Sequence, residues 1–293
     1  MKINKKIGDD AMRITLKKAL GNVFSYAILI IIGVLMCYPL VWMLFASFKT
    51  NSEIFAGVRL LPQSFSFDAF RYGWRGVGGN TYSNFFINSF LLVAPTTILT
   101  IVSSALVAYG FARFEFRAKK ILFTILLGTL MLPNAILIIP RYTIFRDLNV
   151  IDSYYPFYLM AAFACYPFFT YMLVQFIRGL PRELDESAYI DGSGSFGTLF
   201  RILLPLLKPA LFSAGLFQFL WTYNDYFNSL IYISSIKKYT VSLALRMTMD
   251  TEATTAWNSI MAMSCLVVLP VVILFFFCQK YFVEGIATTG LKG

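Results

Sequence analysis

A cluster of polar and aromatic residues interrupts an otherwise apolar stretch near residue 220. Its members are Gln218, Trp221, Tyr223, Asn224, Asp225, Tyr226 and Asn228. Aromatic rings can cover the C–H faces of a carbohydrate, and amide and carboxylate groups can bind its hydroxyls. The six members other than Tyr226 are therefore predicted to line a substrate path. Gln218, Trp221, Asp225 and Asn228 follow i, i+3, i+7 and i+10 spacing, which predicts one cavity-facing stripe on a helix. Alternatively, Asn224 and Asp225 cap a helix or pair with a partner chain.

The residue types exclude several other kinds of chemistry. The chain has no histidine, which removes the commonest general base and the HExxH zinc motif. Its four cysteines, Cys37, Cys165, Cys265 and Cys278, lie far apart in apolar stretches, so no metal site is predicted. There is no GxxxxGK[ST] phosphate loop to bind ATP, and no nucleophile–base pair that indicates an enzyme.

The composition indicates an all-α membrane protein. Hydrophobic residues make up 58% of the 293 residues and charged residues only 14%, whereas a soluble chain carries about 25% charged residues. A spanning helix needs about 20 mostly apolar residues. Six stretches qualify, at about 24–47, 85–112, 120–140, 154–177, 209–233 and 258–282. Asn88 and Asn134 are polar positions within these spans, where an interhelical hydrogen bond is the favoured role.

The basic residues predict the orientation. The net charge of +10 is placed beside the apolar spans, which favours orientation in a membrane over nucleic-acid binding. Lys and Arg are more numerous in the segments that share a side with the N-terminus. We therefore expect a multi-pass membrane protein, with both termini and residues 178–208 in the cytoplasm. Residues 11–23 fit either an interfacial helix or an ordered basic tail.

The cytoplasmic segment 181–205 is predicted to form an elbow. Pro181 suits a first helical position, the acidic residues that follow suit a helix N-terminus, and Gly192 suits a C-terminal turn. These features predict a helix over 181–191. A second helix should lie along the membrane surface and lead through Pro205 into the fifth span, with an apolar face of Phe196, Leu199, Phe200, Leu203 and Leu204. An ordinary polar loop is the alternative.

The elbow resembles the coupling motif of binding-protein-dependent ABC importer permeases. That pattern, E-A-A-x-x-x-G followed by I-x-L-P, is matched by Glu186, Ser187, Ala188, Gly192, Ile202, Leu204 and Pro205, with Ser187 in place of the usual Ala. Three further segments are similar to the MalG-type carbohydrate permease: Asn88-Ser-Phe, Trp221-Thr-Tyr-Asn-Asp225 and the tail from Glu284 to Gly293. The resemblance implies a type I ABC importer permease fold with six transmembrane helices and a cytoplasmic coupling helix.

The resemblance also implies a division of labour. An ATPase dimer, which binds ATP and Mg²⁺, would hold the coupling residues Glu183, Glu186, Ser187, Ala188, Asp191 and Gly192. A second, MalF-like permease subunit would complete the pore, and an extracellular or periplasmic solute-binding protein would deliver a sugar or oligosaccharide. The permease domain would span 24–283, between a cytoplasmic segment 1–23 and a tail 284–293 that reaches between the ATPase subunits.

Other transport functions stay open. The cargo could be a polyol, a glycerol-phosphate-like solute or an acidic oligosaccharide. An ion-coupled secondary carrier is a further alternative, although Asp225 is nearly alone as an ionisable residue within the spans, and no inverted repeat is visible.

Overall fold

The computed structural model describes the backbone of residues 2–57, 59–252 and 256–290, and the side chains of 21–57, 59–250 and 256–279. Within these residues the chain is all-helical, with a single isolated β-bridge between Val77 and Asn80. The predicted all-α class is therefore confirmed. The side chains of residues 1–20 and of the whole predicted tail 284–293 lie outside the described residues, although the backbone is helical from Lys2 and up to Gly290.

The helices follow one another in this order along the chain. They are α1 (Lys2–Ala46), α2 (Asn51–Phe55), α3 (Asp68–Trp74), α4 (Tyr82–Arg113), α5 (Lys119–Leu130), α6 (Asn134–Asp147), α7 (Tyr155–Ala162), α8 (Pro167–Gly179), α9 (Glu183–Ile190), α10 (Ser195–Thr198), α11 (Leu204–Leu206), α12 (Lys208–Tyr223), α13 (Tyr226–Tyr232), α14 (Val241–Glu252) and α15 (Trp257–Gly290). A π-turn over Leu199–Leu203 joins α10 to α11, and a 3₁₀ turn over Ile236–Lys238 precedes α14.

Four segments are long and apolar enough to cross a membrane: Gly21–Ala46, Tyr82–Arg113, Tyr155–Gly179 and Trp257–Gln279. Two more candidates are bent pairs. Helices α5 and α6 meet at 108°, and the segment Ser195–Leu206 meets α12 at 78°. The described residues therefore contain up to six spans if each bent pair is one span.

Three of the predicted spans are interrupted rather than continuous. The third breaks at 131–133, where Pro133 has extended backbone angles (φ −60°, ψ 135°). The fourth breaks at 163–166, where Ala164 has a φ of 54° before Pro167 begins α8. The fifth breaks at 224–225, and the Asp225 side chain accepts a hydrogen bond from the Asn228 backbone as the N-cap of α13. Each break thus has a local cause: Pro133 in the third span, the left-handed Ala164 in the fourth and the cap by Asp225 in the fifth.

The connections at the end of the bundle opposite the elbow are called the outer connections below. They contain helices that the sequence pattern does not predict. Helices α2 and α3 lie in the segment 48–84, and α14 lies in the segment that follows α13. Helix α3 packs closely on α15, since a Cβ at Gly73 would stand 2.9 Å from the Met263 side chain. Helix α14 packs against α4 and α15. These connections are therefore folded against the ends of the spans.

Helix α4 lies at the centre of the fold and packs against α7, α8 and α12. Small residues on α4, Ala105, Ala108 and Ala112, are buried in a cluster with large apolar residues of α8. Small residues let membrane helices approach closely, where dispersion contacts replace the hydrophobic driving force that lipid does not supply. The same cluster includes Leu199, Leu203 and Leu207, so the elbow is packed on the core of the helix bundle.

Asp152 joins two outer connections. Its carboxylate accepts hydrogen bonds from the backbone N–H groups of Ser234 (2.9 Å) and Ser235 (2.8 Å), and from the Ser235 hydroxyl (2.6 Å). The Lys238 ammonium lies 2.9 Å from the same carboxylate. Burial raises the pKa of Asp152, but the hydrogen bonds from Ser235, Lys238 and Ser234 outweigh it, so the pKa lies well below its usual range.

Replacing Asp152 should weaken the outer connections. Asp152→Asn removes the charge and one acceptor oxygen, which should lower the free energy of unfolding by about 1 kcal/mol at this half-exposed position. A thermal-denaturation midpoint in detergent checks this, with Asp147→Asn as control because Asp147 pairs only with its exposed neighbour Arg146 among the described ion pairs.

The depressed pKa of Asp152 also sets the sign of a pH effect. The stabilisation is complete above the ordinary carboxyl pKa of about 4 and is lost as the pH falls below it. Acidification below about pH 4 should therefore lower the midpoint of the wild type more than that of Asp152→Asn. Equal responses of the two proteins would contradict the role of this carboxylate.

Candidate functional site

The elbow begins with α9, which carries acidic residues at its positive end. The helix starts at Glu183, two residues later than the predicted start at Pro181, and its first turn contains Glu183, Asp185 and Glu186. Carboxylates in the first turn are stabilised by the free N–H groups and by the helix dipole. A short, acidic helix is therefore present in the predicted segment, and it spans Glu183–Ile190 rather than 181–191.

The end of α9 explains why glycine stands at position 192. Gly192 has a φ of +76°, a left-handed conformation that costs other residues energy because of the Cβ. The Ser193 N–H donates to the Ala188 carbonyl (2.8 Å), and the Gly192 N–H donates to the Tyr189 carbonyl (3.0 Å). This pair of bonds is the Schellman motif, which satisfies the last carbonyls of a helix.

The structure separates the predicted coupling residues into two groups. Five of them are exposed on the surface of the elbow, where a partner could reach them. These are Glu183, Glu186, Ser187, Asp191 and Gly192. Ala188 is only 2% exposed. Its small side chain therefore packs within this chain, and its role in coupling stays a prediction from the resemblance.

The second half of the elbow differs from the predicted amphipathic helix. Leu199 and Leu203 are buried as expected, but Phe196 and Phe200 are 72% and 57% exposed. The π-turn over Leu199–Leu203 widens the helix at this point, so the predicted apolar stripe is divided between two faces. Phe196 and Phe200 stack on each other with ring centroids 6.5 Å apart. Tyr189 and Ile190 of α9 are exposed as well, so the elbow presents large apolar side chains in addition to its carboxylates.

Arg113 ties the elbow to the end of α4, a contact that the sequence analysis missed. Its Nε lies 3.0 Å from Oδ2 of Asp185, and its side chain is only 7% exposed. Nη2 of the same guanidinium donates to the carbonyls of Leu180 (3.1 Å) and Pro181 (3.4 Å). A lone arginine at the end of a span is an ordinary feature of orientation, so the sequence offers no signal for this contact.

A cavity of about 890 Å³ lies among the broken helices. Residues at all three breaks line it, including Leu132 and Asn134, Ala164 and Tyr166, and Asp225. Irregular backbone is tolerated at membrane depth only where it is buried in protein or borders a water-filled cavity. The three breaks and the cavity are thus one feature of the fold.

Four of the six predicted substrate-path residues line this cavity, and they are the four that share the predicted stripe. These are Gln218, Trp221, Asp225 and Asn228. The Asn228 amide donates to Asp225 Oδ2 (2.8 Å), and the Gln218 amide donates to the Thr222 hydroxyl (2.8 Å). The Trp221 ring lies 5.2 Å from the Phe168 ring. Polar and aromatic groups therefore face the same space.

The other two predicted residues lie elsewhere. Tyr223 is buried on the opposite side of α12, where its hydroxyl donates to the Val267 carbonyl (2.9 Å). Asn224 is exposed, and its amide donates to the Leu220 carbonyl of its own helix (2.9 Å). Neither lines the cavity, so their place on a substrate path stays a prediction that the cavity does not support.

The cavity also contains residues that were not assigned to the path. Arg141 of α6 lines it and donates from Nη1 to Oδ1 of Asn134 (3.1 Å). Phe168, Tyr166 and Cys165 line the wall near the α7–α8 break. Asn88 lies outside the cavity and bonds the outer connection before α14 instead. Within the described residues, no group of three His, Cys, Asp or Glu side chains could hold a metal ion.

Comparison with known proteins agrees with this architecture. The chain is 33% identical over 275 residues to the probable ABC transporter permease protein YurM of Bacillus subtilis, covering 94% of this chain and 90% of that protein. It is 32% identical over 265 residues to the arabinooligosaccharides transport system permease protein AraQ of the same organism, covering 89% and 92%.

A solved structure shares the fold. A crystal structure of a bacterial ABC transporter involved in import of the acidic polysaccharide alginate matches with a TM-score of 0.78 at 19% identity, covering 90% of this chain and 96% of the matched chain. Residues 101–288 match the family described as the inner membrane component of binding-protein-dependent transport systems. The chain belongs to that family and is a multi-pass membrane permease subunit of an ABC transporter.

Proposed function

We propose that this chain forms one half of the translocation pore of an ATP-driven importer for a sugar or oligosaccharide. A second, MalF-like permease subunit completes the pore, a solute-binding protein delivers the cargo, and an ATPase dimer binds ATP and Mg²⁺. The cavity is the observation that carries this proposal. Its Trp221 and Phe168 rings suit the C–H faces of a sugar, and Gln218, Asp225 and Asn228 suit its hydroxyls.

The elbow supports the location of the ATPase. It presents carboxylates and exposed aromatic rings on a rigid knob that lies between α8 and α12. Exposed apolar rings beside acidic residues are typical of a protein-binding surface. We place this surface and both termini in the cytoplasm because the flanking segments carry most of the basic residues.

Arg141 favours a second candidate cargo, a solute with an anionic group. Its guanidinium lines the cavity, and within the described residues no carboxylate lies within ion-pair distance of it. Asp225, by contrast, is held by the backbone and amide of Asn228. Arginine binds carboxylates and phosphates through two parallel hydrogen bonds. Competition for uptake by a neutral and a uronate-containing oligosaccharide of equal length separates the two cargo classes.

The cavity assignment predicts a selective loss of uptake. Trp221→Ala removes the exposed ring, and Asp225→Asn removes the charge while keeping a side chain that can cap α13. Each variant should lower the rate of labelled-sugar uptake in proteoliposomes by about tenfold, as expected for loss of one aromatic or charge-assisted contact. Co-purification of the ATPase should not change.

Asn224→Ala is the matched control because Asn224 adjoins the same break but points away from the cavity. Uptake at the wild-type rate by both Trp221→Ala and Asp225→Asn would exclude the cavity as the path of the solute.

The geometry at Gly192 predicts a second, different defect. Gly192→Val places a β-branched residue at a φ of +76°, which should destabilise the end of α9 by about 1–2 kcal/mol. The variant should capture less ATPase in mild detergent and should uncouple ATP hydrolysis from uptake.

Gly194→Val serves as the control for this experiment. Gly194 has a φ of −71°, which valine adopts readily, and a Cβ there would meet no atom within 4 Å. Full coupling in Gly192→Val, or an equal defect in Gly194→Val, would show that the Schellman turn is not what positions the docking surface.

A further inference from the structure

Helix α4 is the unbroken helix at the centre of a bundle whose neighbours are broken. It runs for 32 residues, about 48 Å, and packs against α7, α8 and α12. The α7–α8 and α12–α13 helices beside it are interrupted at 163–166 and 224–225. Pro95 lies inside α4 and lacks the N–H that would bond the Leu91 carbonyl, but the backbone stays helical from Tyr82 to Arg113 and the Tyr158 hydroxyl donates to that carbonyl (2.5 Å). Helix α4 is therefore a continuous connection between the two ends of the bundle, whereas the α7–α8 and α12–α13 pairs beside it can bend at their breaks.

The inner end of α4 is attached to the elbow. Arg113, its last residue, forms an ion pair with Asp185 in the first turn of α9 and also donates to the carbonyls that precede α9. The pair is largely buried, with the two side chains 7% and 25% exposed. A buried ion pair holds its partners in a defined geometry, because separating them leaves uncompensated charges.

The outer end of α4 is attached to the connection before α14. The Asn88 amide donates to the carbonyls of Lys237 (2.8 Å) and Tyr239 (3.0 Å). The buried Ser89 hydroxyl accepts the Val241 N–H at 2.8 Å and so anchors the start of α14. The Asn88-Ser89 dipeptide is part of one of the segments that carried the family resemblance. It thus forms hydrogen bonds with the connection before α14 and does not line the cavity.

The covalent route from the elbow to the bundle is less direct. Between α9 and α12 the chain passes through Gly192, Gly194, a π-turn and a bend of 78°. Each of these elements can absorb a displacement of α9. The contact through Arg113 bypasses all of them.

We propose that α4 transmits motion of α9 to the outer segment 236–241, with Arg113 as the positioning residue at the inner end and Asn88 and Ser89 at the outer end. This inference rests on the proposed docking of an ATPase at α9. It adds a second path to the elbow's own connection to α12 and assigns a role to residues that touch neither cargo nor nucleotide.

The test uses the complete transporter in proteoliposomes, with its partner subunits and its solute receptor. Asp185→Asn weakens the inner attachment, and the pair Asn88→Ala with Ser89→Ala removes the outer one. Each change should lower receptor-stimulated ATP hydrolysis and uptake per ATP by about two- to thirtyfold, while ATPase co-purification stays at the wild-type level.

Matched controls lie close to each attachment. Glu115→Gln alters a mostly exposed carboxylate that pairs with Lys119 on the same side of the membrane as Asp185. Asn84→Ala alters an exposed residue one turn before Asn88 on α4. Both controls should keep wild-type stimulation. To test the ion pair itself, Arg113→Asp combined with Asp185→Arg should recover stimulation above either single reversal, and no recovery would exclude the pair.

Combining the inner and outer changes distinguishes one path from two. Distant, independent sites have additive effects on free energy. If the two attachments act independently, the fold-reductions in stimulation that each change causes would multiply in the combined variant. If α4 is the shared path, the combined variant loses no more stimulation than the worse single set. Multiplied losses, or wild-type stimulation in both single sets, would overturn the inference.

Failure of the proposed function has a different signature. In that case the wild-type chain captures no ATPase, or the wild-type complex hydrolyses ATP without any response to the receptor. A fully responsive wild type with unaffected variants contradicts only the role of α4.

Discussion

The need to satisfy backbone polar groups within a bilayer organises this structure. Lipid supplies no hydrogen bonds, so a chain that leaves the helical conformation at membrane depth must be enclosed by protein or border water. Three pairs of helices break here, and all three breaks line the same cavity. Because the three irregular segments lie together, a single cavity meets this requirement for all of them. The same placement brings polar side chains into a common space. The fold thereby creates a cavity whose wall is largely apolar but carries a few polar side chains.

The continuous helix α4 lies at the centre of these broken helices and packs against them. Its small residues let α8 and the elbow pack closely against it, and its two ends are fixed by polar contacts. Under the proposed function, energy released in a separate ATPase can open or close the cavity only if some element carries the displacement across the membrane, and we propose α4 for this role.

Much of this arrangement is visible in the sequence. The apolar stretches predict the helices, the charge and glycine pattern predicts the elbow, and helical spacing selects the four cavity-lining residues correctly. That same spacing would have excluded Tyr223, which is five residues from Gln218 and lies on the opposite face. The break after Tyr223 agrees with the alternative in which Asp225 caps a helix, but the same residue also suits a binding site, so its type and position alone do not choose between the two roles.

Contacts between distant segments could not be predicted in this way. Four helices, α5 to α8, separate Arg113 from Asp185 along the chain, and neither residue type signals its partner. The same holds for Arg141, which reads as a basic residue of an outer connection until α6 turns by 108° from α5 and brings it to the cavity. The exposed Phe196 and Phe200 depend on a π-turn, which has no periodic signature.

The most direct test of the account is the side of the membrane on which α9 lies. A cysteine introduced as Ser187→Cys, in a chain with its four native cysteines replaced, places a thiol on the exposed face of α9. An impermeant maleimide should label it in inside-out vesicles and not in intact cells, and bound ATPase should block the reaction. Labelling from outside the cell would contradict the docking of a cytoplasmic ATPase and the transmission that depends on it.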